Sequence, residues 1–258
     1  MIERPQRSVE GVGLHVLRAS GDASWPRVVV VHGGMDRASS FGRVARQLAD
    51  VPLVTYDRRG YGRSIDAGVT AIGGHVDDLL GVVGEEAVVL FGHSMGGVIA
   101  LLAAERRPDL VRAVLAVEAP TPWADWWPRP TRSGDALDPA DGAERFMRRM
   151  VGDAIWDRHP PGTRSDRRAE GAALRADLDS LDVDQPLFDP ARIQAPVLSA
   201  AGSETTWWHR RAAEELAAAV PAGELVIVDG AAHGVHLSHP AATAALVRRA
   251  RAVSPDLG

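Results

Sequence analysis

The stretch Leu90-Phe91-Gly92-His93-Ser94-Met95-Gly96-Gly97 restricts what this chain can fold into more than any other. The apolar run Ala87 to Phe91 before it has the length and β-branched content of a buried strand. Val98 to Glu105 after it suits a helix. Between them Gly92, Ser94 and Gly96 form a G-x-S-x-G pattern. A serine held in a sharp strand-to-helix turn needs small residues two positions away on both sides, because a Cβ there would strike the turn. The strained turn lifts the hydroxyl above the sheet edge. The helix start then directs free N–H groups and a positive dipole end at it. Ser94 is therefore the candidate nucleophile.

The remaining chain supplies a frame for such a turn. Val9 to Leu17 alternates around glycines and predicts a short β-hairpin, and Val28 to Val31 predicts an apolar strand followed by His32-Gly33-Gly34-Met35-Asp36. A helix is expected from about Ser40 to Ala49. Leu53 to Tyr56 is the next strand, ending in Asp57-Arg58-Arg59-Gly60-Tyr61-Gly62-Arg63-Ser64. Helical text around His75 to Val83 leads into the Ser94 strand. Alternating strands and helices imply right-handed crossovers and a mostly parallel sheet with its active edge at the strand C-termini. Val111 to Val117 and Pro196 to Gly202 are further strands. Residues 121–190 between them hold eight of the 17 prolines and four of the seven tryptophans, with no strand text. Phe146 to Met150 and Ala169 to Leu181 look helical. Arg210 to Val220 predicts a helix, Glu224 to Val228 a strand, and Pro240 to Val253 a closing helix with proline in its first turn.

His32-Gly33-Gly34, then Asp57 to Ser64, then Gly92 to Gly97, and finally Gly230-Ala231-Ala232-His233-Gly234 follow one another in a telling order. Together they resemble the α/β-hydrolase superfamily in its serine esterase and haloperoxidase-like branch. The resemblance covers essentially the whole chain outside residues 121–190. It implies an α/β fold whose mostly parallel central sheet is flanked by helices, with a helical cap inserted after the sixth strand. Residues 1–120 and 191–258 then form the core domain and 121–190 the cap, although a strandless segment of this length also suits a lateral decoration.

The same resemblance assigns roles. Serine at its free pKa is a poor nucleophile and needs an adjacent base. His233, in a small-residue loop just past an apolar strand, lies where the family's base sits, with His236 its one rival among nine histidines. The oxyanion hole falls to the backbone N–H of Met95, directly after the nucleophile, and to that of Gly34. For Asp57 and Arg58 the expected role is bracing a loop. The acid that orients His233 is the least determined member. The commonest position, after the Pro196–Ala201 strand, is held by Thr205, with Glu204 one residue early. Glu118, directly after Val117, matches the pattern of members that carry the acid on the earlier strand and is the preferred candidate, Glu204 the alternative. Trp123 and Trp207, which follow closest after strand ends, are candidates for an apolar acyl or leaving-group pocket.

Composition closes other routes. All 29 basic residues are Arg, so a lysine Schiff base is excluded, and the absence of Cys excludes disulfides, thiolate metal ligands and a cysteine nucleophile. A net charge of −5 advertises no nucleic-acid surface. The longest uncharged apolar run, Val98 to Ala104, is too short to span a bilayer, and residues 1–7 lack the apolar core of a signal peptide, so a cytoplasmic location is expected. No H-E-x-x-H metal motif and no dinucleotide fingerprint is present, and neither metal nor cofactor is expected. Haloalkane dehalogenases and epoxide hydrolases of this fold use an Asp nucleophile where this chain has Ser94. The expected activity is cleavage of a small apolar carboxylic ester, thioester or lactone through an acyl-enzyme on Ser94. The alternative is a cofactor-free lyase, acyltransferase or carbon–carbon bond hydrolase using the same residues. A catalytically silent small-molecule binder is a third reading.

Overall fold

The computed structural model describes residues 6–7, 12–22, 26–128 and 138–253. Eight strands run in the order β1 (Gln6–Arg7), β2 (His15–Ala19), β3 (Arg27–Val31), β4 (Leu53–Tyr56), β5 (Val88–His93), β6 (Val111–Val117), β7 (Val197–Gly202) and β8 (Gly223–Val228). They form a single sheet in the spatial order β1-β2-β4-β3-β5-β6-β7-β8. From β3 to β8 every pairing is parallel, while β1 and β2 pair antiparallel at one edge. The antiparallel pair β1 and β2 brackets the predicted Val9–Leu17 hairpin: β1 lies before it, β2 overlaps its end, and residues 9–11 of it lie outside the described residues.

Strand text that is apolar at every position is required because both sheet faces are covered. Val29, Val31, Val88 and Leu90 pack on one face with Leu79 and Val82 of the helix α2 (Ile72–Val83) and Val98 and Leu101 of α3 (Met95–Arg106). Val28, Val30, Val89 and Phe91 pack on the other with Val44 of α1 (Gly42–Gln47) and with Leu246 and Val247 of the closing helix Pro240–Ala252. The period-2 alternation of the strand side chains thus feeds two separate apolar layers. The all-parallel centre leaves six strand C-termini, those of β3 to β8, along one edge.

Between β6 and β7 the described residues contain no strand. They contain the helices α4 (Pro139–Val151), α5 (Asp153–Arg158), α6 (Pro161–Ala169) and α7 (Gly171–Leu181). These helices build a third, small apolar cluster in which Ala143, Met147, Trp156, Ala173 and Leu174 meet Met35 and Tyr61 from the loops after β3 and β4. Polar contacts seat the insertion on the same loops. The buried Arg58 guanidinium forks onto both carboxylate oxygens of buried Asp177 at 3.1 and 2.7 Å. Arg37 pairs with Glu170 at 2.7 Å, and the N–H of Gly62 donates to the same carboxylate at 2.8 Å. The insertion therefore shares its packing with the active edge of the sheet. After β7 come α8 (Trp207–Ala219), β8, α9 (Val235–Ser238) and α10 (Pro240–Ala252). Among the described residues no helix is long and apolar enough to cross a membrane.

Candidate active site

Ser94 links β5 to α3 at φ 53° and ψ −124°. The glycines predicted to permit this turn do so by close approach. A Cβ at Gly92 would lie 2.2 Å from the Gly96 carbonyl oxygen, and one at Gly96 would lie 2.1 Å from that of Val31. The loop after β3 comes in from the other side, where a Cβ at Gly33 would stand 3.1 Å from that of Ser94. Among the described residues only Met35, Ser94 and Glu118 combine a side chain with a left-handed backbone, at φ 56°, 53° and 50°. All three stand just past the C-terminal ends of central strands. Such conformations cost about 1–3 kcal/mol each and persist where the surroundings impose them, as at functional sites.

The structure brings Glu118 to His233 and leaves Glu204 away from it. Glu118 is fully buried, and its Oε2 accepts from His233 Nδ1 at 2.5 Å and from the Thr205 hydroxyl at 2.7 Å. Its Oε1 accepts the Gly202 N–H at 2.9 Å. Thr205, at the position where an acid is first expected from the sequence, thus donates to the Glu118 carboxylate. Glu204 is exposed and has no side-chain hydrogen bond or ion pair among the described residues. Burial alone would raise the pKa of Glu118. The His233 ring, with Gly202 and Thr205, outweighs it and holds the carboxyl down at about 2. Because the folded value is depressed, the stabilisation is complete above the ordinary glutamate range and is lost as pH falls toward 2. The stability gap between the native protein and Glu118→Gln is therefore expected to be widest near neutrality and to shrink between about pH 4.5 and 2. Urea unfolding of both proteins across that range measures it; a gap that widens on acidification contradicts the assignment.

With Nδ1–H directed at Glu118, the Nε2 of His233 is the nitrogen left to accept a proton. The Ser94 hydroxyl makes no hydrogen bond among the described residues, as is common before substrate tightens such a site. The two segments are tied through His93, whose Nε2–H donates to the His233 carbonyl at 2.8 Å. Burial, then the neighbouring His236 and His233, press the pKa of His93 down to about 3. At the oxyanion position, Met95 opens α3, so its N–H has no partner within the helix. The N–H of Gly34 likewise makes no hydrogen bond among the described residues.

His209 was not singled out from the sequence, yet its ring stacks on His233 at 4.5 Å and 28°. Its Nδ1 lies 2.9 Å from the Thr206 hydroxyl and 4.0 Å from Glu118 Oε2. Burial, reinforced by His233, lowers its pKa to about 4, so it stays neutral near pH 7. Trp127 meets His209 edge-on at 5.2 Å, and Trp208 lies 6.1 Å away. Of the two tryptophans proposed for the pocket, Trp123 packs edge-on against Phe188 at 5.7 Å. Trp207 is 56% exposed beside Trp126 and Trp208. Neither ring meets His209 or His233; Trp127 and Trp208 are the ones that border the histidine pair. Asp57 and Arg58 brace loops as expected. Asp57 accepts from the N–H groups of Ala38 and Arg63, and Arg58 donates to the carbonyls of His32 and Gly33.

Comparison with known proteins agrees with the fold. Residues 28–246 match the model of the alpha/beta hydrolase family. The chain is 34% identical over 114 residues to the lipase LipV of Mycobacterium tuberculosis, a match spanning 42% of each chain. It therefore covers less than half the length of that relative. It is 27% identical over 209 residues to a protein of Agrobacterium fabrum bearing the name carbamate hydrolase RutD, across 73% of this chain and 78% of that one. Among solved structures, an alpha/beta hydrolase from Sphaerobacter thermophilus superposes with a TM-score of 0.72 at 25% identity, covering 95% of this chain and 99% of that one. Est816, described as an N-acyl homoserine lactone degrading enzyme, gives a TM-score of 0.73 at 21% identity over 95% and 99%.

Proposed function

The chain belongs to the alpha/beta hydrolase family, and from that premise we propose that it is a serine hydrolase cleaving small apolar carboxylic esters, thioesters or lactones. The observation that carries this reading is the 2.5 Å contact of Glu118 with His233 Nδ1, which frees Nε2 on the ring whose loop is tied to the strained Ser94 turn. In the proposed cycle His233 Nε2 takes the Ser94 hydroxyl proton as Oγ bonds to the carbonyl carbon. The carbonyl electron pair moves onto oxygen, where the N–H groups of Met95 and Gly34 receive the negative charge. The intermediate collapses, the C–O or C–S bond breaks, and the leaving group takes the proton from His233. Water then repeats the sequence on the acyl-enzyme and restores Ser94. Glu118, ionised throughout, holds the tautomer and stabilises the transient imidazolium.

On this reading the described part of the 121–190 insertion forms a cap, and the apolar lining of the site combines Trp127 from the cap with Trp208 from α8, both beside His209. The names of the relatives, a lipase, a carbamate hydrolase and a lactone-degrading enzyme, support an acyl-transfer chemistry on a C–O or C–N bond and leave the acyl group open.

The test is reaction with a fluorophosphonate probe, followed by turnover of short-chain nitrophenyl esters. One equivalent of label on the Ser94 peptide together with ester turnover is the expected result. Label without turnover would favour a lyase or acyltransferase using the same residues. Absence of label would remove the nucleophile from the proposal.

A further inference from the structure

A second cluster of chemistry-bearing side chains lies beside the Ser94 turn and is not used by the proposed cycle. Asp36 follows Gly34 by two residues in the loop after β3, His93 precedes Ser94, and His236 stands in α9, three residues past His233. His236 Nε2 lies 3.1 Å from Asp36 Oδ2, and His93 Nδ1 lies 4.0 Å from the same oxygen. The three atoms are all within 4.8 Å of one another. His93 and His236 are 6% and 2% exposed. Asp36 Oδ2, His93 Nδ1 and His236 Nε2 are all buried without a hydrogen-bond partner. Buried polar atoms with no partner are rare and destabilise the fold that holds them.

The far side of two of these groups is fixed. Asp36 Oδ1 accepts the Arg37 N–H at 2.8 Å, which leaves Oδ2 to face the cluster. His93 Nε2 faces a carbonyl oxygen and must carry the proton, so its Nδ1 presents a lone pair toward a carboxylate oxygen. The His236 ring is held flat against Phe41, with centroids 4.3 Å apart and planes at 13°. A proton on His236 can serve only Asp36 and leaves the His93 lone pair facing a carboxylate. One cation among the three atoms serves all of them. His236 Nδ1 is also unpartnered and stays so under either occupancy, so it does not decide between them.

We propose that Asp36 Oδ2, His93 Nδ1 and His236 Nε2 form a binding site for a single divalent transition-metal ion of the zinc class. Two imidazoles and one carboxylate suit zinc, cobalt or nickel, and disfavour magnesium and calcium, which prefer all-oxygen shells. Tetrahedral zinc with ligands at about 2.0–2.1 Å sets neighbouring donor atoms roughly 3.4 Å apart. The three atoms, 3.1 Å apart at the closest pair and within 4.8 Å at the widest, reach that arrangement with a closure of at most about 1.4 Å. Hydrogen bonds on the outer atoms of Asp36 and His93 are the kind that orient metal ligands. The ion would join the loop carrying Gly34, the residue before Ser94 and the helix after His233, fixing their spacing without touching the reacting atoms.

The test is direct metal binding by the purified full chain, read independently of ester turnover. After chelator treatment, Co²⁺ titration followed by visible absorption and Zn²⁺ titration by calorimetry should each saturate at one ion per chain. Chelation should lower the melting temperature and Zn²⁺ should restore it. Asp36→Asn and His236→Gln, which keep size and shape, should each weaken binding at least about 100-fold. The absence of stoichiometric binding by the wild-type protein overturns the proposal, and that result does not depend on whether either variant folds. Binding that survives both variants, or that is lost in His209→Gln and kept in Asp36→Asn, overturns it too, because it places the ion on Glu118, His209 and His233. Ester turnover and probe labelling stand or fall separately from these readouts.

Discussion

Ser94→Ala is expected to leave a folded protein whose kcat on a nitrophenyl ester is lower by roughly 10⁴–10⁶-fold, the range for loss of a nucleophile that acts in a unit with its base. The substitution removes one oxygen that makes no hydrogen bond among the described residues. The backbone contacts that build the turn, Ser94 N–H to the Val117 carbonyl and Gly97 N–H to the Ser94 carbonyl, both at 2.8 Å, are untouched. Its effect on stability should therefore stay within about 0.5 kcal/mol, as for substitutions that disturb no buried partner. The separation between a near-constant melting temperature and a collapsed rate is the informative measurement. A kcat within tenfold of wild type would remove Ser94 from the mechanism, and equal losses of rate and stability would indicate damage to the turn.

The largest effect on stability is expected at Asp177, beside the loop that carries Gly33 and Gly34. Its carboxylate is 2% exposed. It receives both prongs of Arg58, the Tyr61 hydroxyl at 2.6 Å and the His75 Nε2–H at 3.1 Å. Burial works against ionisation, and the charge of Arg58 together with its hydrogen bonds holds the carboxyl well below the ordinary range. Asp177→Ala strands a fully buried guanidinium, and removal of one partner from such a pair costs about 3–5 kcal/mol. For a chain of this size the expected fall in melting temperature is roughly 6–20 °C, at about 2–4 °C per kcal/mol. Arg58 also holds the carbonyls of His32 and Gly33, so the variant should lose rate along with stability. A cost below about 1 kcal/mol would show that Arg58 finds water or another acceptor, and that the pair contributes little.

What the sequence revealed was set by short-range geometry. The Ser94 turn is encoded within five residues, because Gly92 and Gly96 must each lack a Cβ for it to close. Glu118 was legible because the end of an apolar strand places its next residue on the active edge, and no shift of register was needed. The Arg58–Asp177 pair spans 119 residues and leaves no local pattern. The stacking of His209 on His233 depends on where α8 begins. That helix starts at Trp207, whereas the sequence suggests Arg210, because Trp207 reads as a pocket aromatic before it reads as helix. The expected pocket roles of Trp123 and Trp207 rested on distance along the chain from strand ends. In the folded protein it is Trp127 and Trp208 that lie beside His209.

The three left-handed side chains carry unequal consequences for anyone selecting hardier versions of this protein. Glycine relieves backbone strain at any of them, by about 1 kcal/mol or more. At Met35 that gain is outweighed by emptying a buried thioether site, and at Glu118 by stranding three hydrogen-bond donors. Only at Ser94 does nothing offset it, since the hydroxyl makes no hydrogen bond among the described residues. Heat selection applied without an activity screen would therefore drift toward Ser94→Gly, a tougher protein with no nucleophile. The residue proposed as the nucleophile is the one the fold would be better off without.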